Sequence, residues 1–65
     1  MQLFDVVALA DDLPEEGLTA GAEGTIIEVY ERPEPAYEVE FSDQDGATLT
    51  TVALPAGRLA PTGRG

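Results

Sequence analysis

Gly21-Ala22-Glu23-Gly24-Thr25-Ile26-Ile27-Glu28-Val29-Tyr30 places two glycines directly ahead of the most β-prone run in the chain. Thr25, Ile26, Ile27, Val29 and Tyr30 are β-branched or aromatic and fit a pleated, half-buried surface, so the run reads as a strand. Two glycines three apart would weaken a helix by about 1 kcal/mol each. In a turn entering a strand they instead supply positive-φ or close-approach positions. Alternation puts Thr25, Ile27 and Val29 on one face and Ile26, Glu28 and Tyr30 on the other. Apolar groups on both faces predict a central, strongly curved strand of a closed or nearly closed small barrel.

Toward the N-terminus, Leu3 to Leu9 reads as a first strand, with Phe4, Val6 and Ala8 on one face and Asp5, Val7 and Leu9 on the other. Asp5 is expected to accept backbone hydrogen bonds at the strand end, as a carboxylate among apolar neighbours must be satisfied. Ala10 to Ala20 is broken by Pro14 and Gly17 and predicts a loop folded over the barrel, anchored by Leu13 and Leu18. Asp11, Asp12, Glu15 and Glu16 are left on its outer side, and a loop of this length is a candidate binding element.

Past the central strand, Glu31-Arg32-Pro33-Glu34-Pro35 reads as a hairpin tip, because proline cannot continue a ladder. Ala36 to Ser42 alternates, with Tyr37, Val39 and Phe41 inward and Glu38 and Glu40 outward. Keeping apolar faces together pairs Val29 near Tyr37 and Ile27 near Val39, and so sets Glu28 opposite Glu38. Like charges directly opposed are destabilising. With Glu40 they make the sharpest acidic patch that register predicts, and Tyr30 beside them is a candidate aromatic anchor. Asp43-Gln44-Asp45-Gly46 reads as a tight turn and departs from the calcium-loop pattern, so no metal is assigned there. Ala47 to Leu54 is a fourth strand whose buried face a bulge at Gly46 would decide. Leu54 to Leu59 predicts a short helical turn, followed by a last strand at Leu59-Ala60-Pro61. The expected division is one domain over 1–61 and a flexible tail over 62–65.

Composition narrows the functional classes. At 65 residues the chain has room for one domain, and one of this size buries only about 60% of its unfolded surface. Cysteine and histidine are absent, so neither a disulfide nor a structural zinc site is expected. Oligomerisation or a partner would add the missing stability. Thirteen acids against three arginines give a net charge of -10, which repels phosphate backbones and anionic membranes. Nucleic-acid and membrane partners are therefore not expected; nucleic acid would return only if Arg32, Arg58 and Arg64 shared one face. Asp5 interrupts the N-terminal apolar run, no basic region precedes it and no segment reaches the length of a membrane span, which predicts a soluble, cytoplasmic protein.

The predicted order of five short strands, a long first loop, a glycine turn into the second strand and a brief 3-10 turn before the fifth resembles an SH3-like barrel. Within that fold, Asp5-Val6-Val7-Ala8-Leu9, Leu13-Pro14, Gly17-Leu18, Gly21, Gly24-Thr25-Ile26-Ile27-Glu28-Val29, Tyr37-Glu38-Val39-Glu40-Phe41 and Leu54-Pro55 resemble a family of small bacterial and archaeal proteins of unknown function with a D-V-V signature. The resemblance covers nearly the whole chain and implies the architecture without an activity. Gly24-Thr25 is also similar to the glycine turn of ribosomal and transcription-factor barrels that bind RNA; those are basic where this chain is acidic.

Without histidine, cysteine or lysine, the usual general base, thiolate and amine nucleophile are missing, and a small barrel offers little interior for a carboxylate pair of raised pKa. No enzyme and no cofactor are expected. The leading expectation is a non-catalytic protein-binding module, the neutralising or regulatory partner of a protein with a basic surface. Glu28, Tyr30, Glu38 and Glu40 on the sheet and Asp11, Asp12, Glu15 and Glu16 on the loop would carry it. The alternative is a structural accessory subunit or self-associating barrel, including a homo-oligomer, that docks through an apolar face.

Overall fold

The computed structural model of the chain describes residues 1–42 and 47–64. Five antiparallel strands form one sheet: β1 Val6–Leu9, β2 Glu23–Tyr30, β3 Ala36–Ser42, β4 Thr48–Pro55 and β5 Leu59–Arg64, in the order β4-β3-β2-β1-β5. Two 3-10 turns, Pro14–Glu16 and Ala56–Arg58, complete the described elements. The protein is all-β with an SH3-like strand order. It departs from full closure, since β4 and β5 are the outer strands of the sheet. Among the described residues, no helix is long and apolar enough to cross a membrane.

The two glycines of the opening stretch do different work. Gly21 turns the chain at φ 88°, and its N–H donates to Leu9 O at 2.8 Å while Leu9 N–H donates to Ala22 O at 2.9 Å. Gly24 lies between Val7 of β1 and Phe41 of β3. A Cβ there would stand 2.7 Å from Val39 Cγ1 and 2.8 Å from the Glu40 carbonyl oxygen. The absence of a side chain lets three strands meet over the core.

Alternation places Val7 and Leu9 of β1 and Val39 and Phe41 of β3 inward, and they join Ile26, Leu54 and Leu59 in a single cluster. Phe41, Ile26, Val7 and Val39 are its largest fully enclosed side chains, each worth about 1.5–3 kcal/mol of burial. Leu13 and Leu18 close one side as the loop's anchors, 4% and 8% exposed, and exchange backbone hydrogen bonds of 2.9 and 3.1 Å. Between them Pro14–Glu16 makes one 3-10 turn that ends on Gly17 in the left-handed region.

β2 corrects the expected faces. Val29 does pair with Tyr37 and Glu28 with Glu38, but Ile26, not Ile27, pairs with Val39, because a bulge falls between Ile26 and Glu28. An extra residue breaks period-2 alternation. Ile26 is buried, while Ile27 and Val29 stay 38% and 39% exposed. On β4 the register shifts opposite Phe41 and Ser42, so that Val52 and Leu54 face the core. The predicted turn at Asp43-Gln44-Asp45-Gly46 lies outside the described residues.

Both chain ends also differ from expectation. The first strand begins at Val6, not Leu3, because Phe4 takes a left-handed φ of 71° that no ladder can accommodate. Phe4 N–H still donates to Ile26 O at 2.7 Å, and Asp5 O accepts from Ile26 N–H at 3.0 Å. The Asp5 carboxylate accepts from Gln2 N–H at 2.8 Å, as a strand-end acid should. β5 continues past Pro61 to Arg64. Gly63 at φ 81° lets the strand skip a register step so that Arg64 pairs with Val6, and Thr62 Oγ1 donates to Val6 O at 2.7 Å.

Candidate functional site: an acidic hairpin face and its groove

The β2–β3 pairing brings the predicted sheet residues together. Glu28 stands directly across from Glu38, and Tyr30 Oη, on the same strand as Glu28, donates to Glu38 Oε1 at 3.1 Å. Tyr30 is 40% exposed. Its phenol pKa is raised above the ordinary value of 10.0, first by that hydrogen bond, then by desolvation and by the charges of Glu38 and Glu28. Glu40 lies farther along β3, between Thr25 of β2 and Thr51 of β4, so it belongs to the sheet face but not to this cluster.

Three of the four loop acids serve the loop itself. Asp11 Oδ1 accepts from Arg58 Nε at 3.2 Å, an exposed ion pair. Asp12 Oδ1 accepts from Ala20 N–H at 2.8 Å and closes the base of the loop. Glu16 Oε1 accepts from Thr50 Oγ1 at 3.1 Å, tying the loop to β4. Glu15 is exposed on the 3-10 turn. Arg58 Nη2 also donates to Asp12 O at 3.4 Å, which joins the turn before β5 to the loop after β1.

Beside the carboxylate pair the hairpin tip and the end of β4 enclose an open groove of about 350 Å³. Tyr30, Pro33, Pro35 and Pro55 line it together with Ala36, Ala53 and Leu54. Arg32 and Glu34 supply its charged groups. Sequence reasoning identified Tyr30 but missed the groove, because Ala53 and Pro55 reach it only through the β3–β4 pairing of Ala53 with Glu38 and Pro55 with Ala36. Two prolines within five residues of Tyr30 were the local signal.

Fold and groove together define a small acidic β-domain with an open, carboxylate-rimmed hairpin face. The chain belongs to the family described as Domain of unknown function (DUF4926), whose model matches residues 3–61. No curated protein and no solved structure matches the chain.

Proposed function

We propose that this domain, one of a family of small bacterial and archaeal proteins marked by Asp5-Val6-Val7, is a cytoplasmic, non-catalytic module that docks a basic protein and neutralises or regulates it. The observation that carries this reading is the pairing of Glu28 with Glu38 beside the exposed ring of Tyr30. Two carboxylates held opposite one another cost stability in the free domain, and a cation brought by a partner removes that cost. A large net negative charge adds steering toward a basic surface. Of the loop acids, Glu15 is exposed on the same chain but remote in sequence, and Asp11, Asp12 and Glu16 contribute mainly to the field, since each already has an internal role.

The test is binding of poly-arginine to the immobilised domain across a salt series. The expected affinity falls steeply with ionic strength and drops at least tenfold when Glu28 and Glu38 are both replaced by lysine. Binding that ignores both salt and charge reversal would remove the reading.

A second reading, self-association or docking through an apolar face, rests on Leu3 and Phe4, 46% and 64% exposed, with Phe4 in the left-handed region. A bulky residue in that region costs of order 1–3 kcal/mol. Sedimentation of wild type and of Phe4→Gly separates the two: a dimer in the first that is lost in the second favours the apolar face.

A further inference from the structure

The hairpin groove has a definite chemical preference. Proline has no backbone N–H, and Pro33, Pro35 and Pro55 line it, so three of its lining residues bring a carbonyl acceptor and no backbone donor. The Tyr30 hydroxyl hydrogen is committed to Glu38, which leaves the phenol oxygen's lone pairs and the ring face toward an incoming group. The lining itself carries one carboxylate, Glu34, and one cation, Arg32; at the Tyr30 end, Glu38, bonded to the Tyr30 hydroxyl and paired with Ala53, and Glu28 opposite it add two more carboxylates. The Tyr30 end therefore favours an occupant that is cationic, rich in donors and flat or long enough to lie on an aromatic ring. A volume of about 350 Å³ stands at the low end of the range of ligand pockets and suits a single long side chain.

We propose that the groove binds an arginine side chain from the basic partner, with its guanidinium over the Tyr30 ring and its N–H fork directed at Glu38 and the groove's carbonyl oxygens. Guanidinium offers five donors in a fixed plane and stacks on aromatic faces; ammonium offers a compact, strongly hydrated charge. The inference rests on the acidic-docking reading and narrows it to one side-chain type and one site. It also assigns a role to Arg32: as the cation in the groove's own lining, it competes with the incoming guanidinium.

The test is NMR titration of the full chain with the capped peptide Gly-Ala-Arg-Ala-Gly and its lysine and citrulline counterparts. The arginine peptide is expected to shift the amide signals of Tyr30, Ala36 and Ala53, the lysine peptide to bind at least threefold more weakly, and the citrulline peptide to give no shifts. Ala53 is exposed, so Ala53→Trp fills the groove without entering the core and is expected to abolish the shifts. Tyr30→Leu is expected to weaken binding about fivefold, and Arg32→Ala to tighten it about threefold, in line with the strength of exposed cation–π contacts and screened surface charges. If poly-arginine still binds in a salt-sensitive way while Ala53→Trp changes nothing, the groove assignment falls and acidic docking survives. If neither poly-arginine nor the peptide binds, both fall. Tighter binding of the citrulline peptide, or loss of arginine binding on Arg32→Ala, would also overturn the assignment.

Discussion

Tyr30 donates its hydroxyl hydrogen to Glu38 across the β2–β3 pair at 3.1 Å, and Glu38 in turn faces Glu28. One phenol thus shields one of two opposed carboxylates, and the three side chains form a connected unit on an otherwise regular sheet face. Neither carboxylate has an arginine partner among the described residues; the ion pair seen there, Arg58 with Asp11, belongs to the loop.

The phenol is expected to report this arrangement directly. In a Tyr37→Phe background, ultraviolet titration should show Tyr30 ionising above its ordinary pKa of 10.0, since the Glu38 hydrogen bond and then the surrounding negative charge favour the protonated form. Glu38→Ala removes the first and largest cause and should bring the midpoint down, with Glu28 sustaining a residue of the effect. The sign for stability follows from linkage. With the folded pKa raised, the contribution is whole below pH 10 and is lost as pH climbs through the folded value. A midpoint unmoved by Glu38→Ala would contradict the hydrogen bond.

Glu28→Gln is expected to stabilise the domain. Removing one of two directly opposed charges returns about 0.2–1 kcal/mol, and for a domain this small each kcal/mol moves Tm by about 4–8 °C. The gain should be greatest at low salt and fade as screening grows, because both groups face solvent. The wild type should itself melt higher as salt rises, given its net charge of -10 and the self-repulsion that charge implies. A variant no more stable than wild type at low salt would show that Tyr30 already quenches the repulsion.

The sequence revealed those features whose cause is local. Tyr37, Val39 and Phe41 alternate with charged residues, and the structure buries them or packs them against the core as the pattern requires. Leu13 and Leu18 were legible as anchors because Pro14 and Gly17 left them the only large apolar groups in an acidic loop. The Glu28–Glu38 pairing was legible from register, although the Ile27 bulge was not: nothing in Thr-Ile-Ile-Glu says which residue a ladder will omit. The left-handed Phe4 was hidden for a similar reason, since Leu3-Phe4-Asp5-Val6-Val7 has the composition of a strand throughout. Asp11 with Arg58 and Glu16 with Thr50 are contacts across 47 and 34 residues, beyond the reach of any periodicity. The groove belongs with them, being assembled from a turn and a strand end that meet only through the sheet.

The loop acids should separate by what they hold. Asp12 accepts a backbone N–H at 2.8 Å, so Asp12→Ala leaves that donor without its partner and is expected to cost about 1 kcal/mol. Asp11 and Arg58 are 65% and 37% exposed, and an exposed pair contributes only about 0.2–1 kcal/mol, less in salt. Chemical denaturation at moderate salt should therefore rank Asp12→Ala as the more damaging, with Asp11→Ala close to wild type. The reverse order would mean that the link from loop to 3-10 turn, not the loop's own closure, fixes its position.

Gly24→Ala tests the geometry on which the sheet depends. The added methyl would meet Val39 Cγ1 at 2.7 Å, the Glu40 carbonyl oxygen at 2.8 Å and Phe41 Cδ1 at 2.9 Å, and the carbonyl cannot yield without breaking the β2–β3 ladder. Overpacking of this kind costs typically about 1–3 kcal/mol, a large share of the stability of so small a domain. The backbone preference of alanine for strand over glycine would offset less than 1 kcal/mol of it. Gly57 is the matched control, because a Cβ there meets nothing within 4 Å and its φ is not in the left-handed region. Thermal melts are expected to show a loss of several degrees for Gly24→Ala and little change for Gly57→Ala. Equal melting temperatures would mean that β1 and β3 do not approach β2 as closely as the three-strand junction over Val7, Ile26 and Val39 demands.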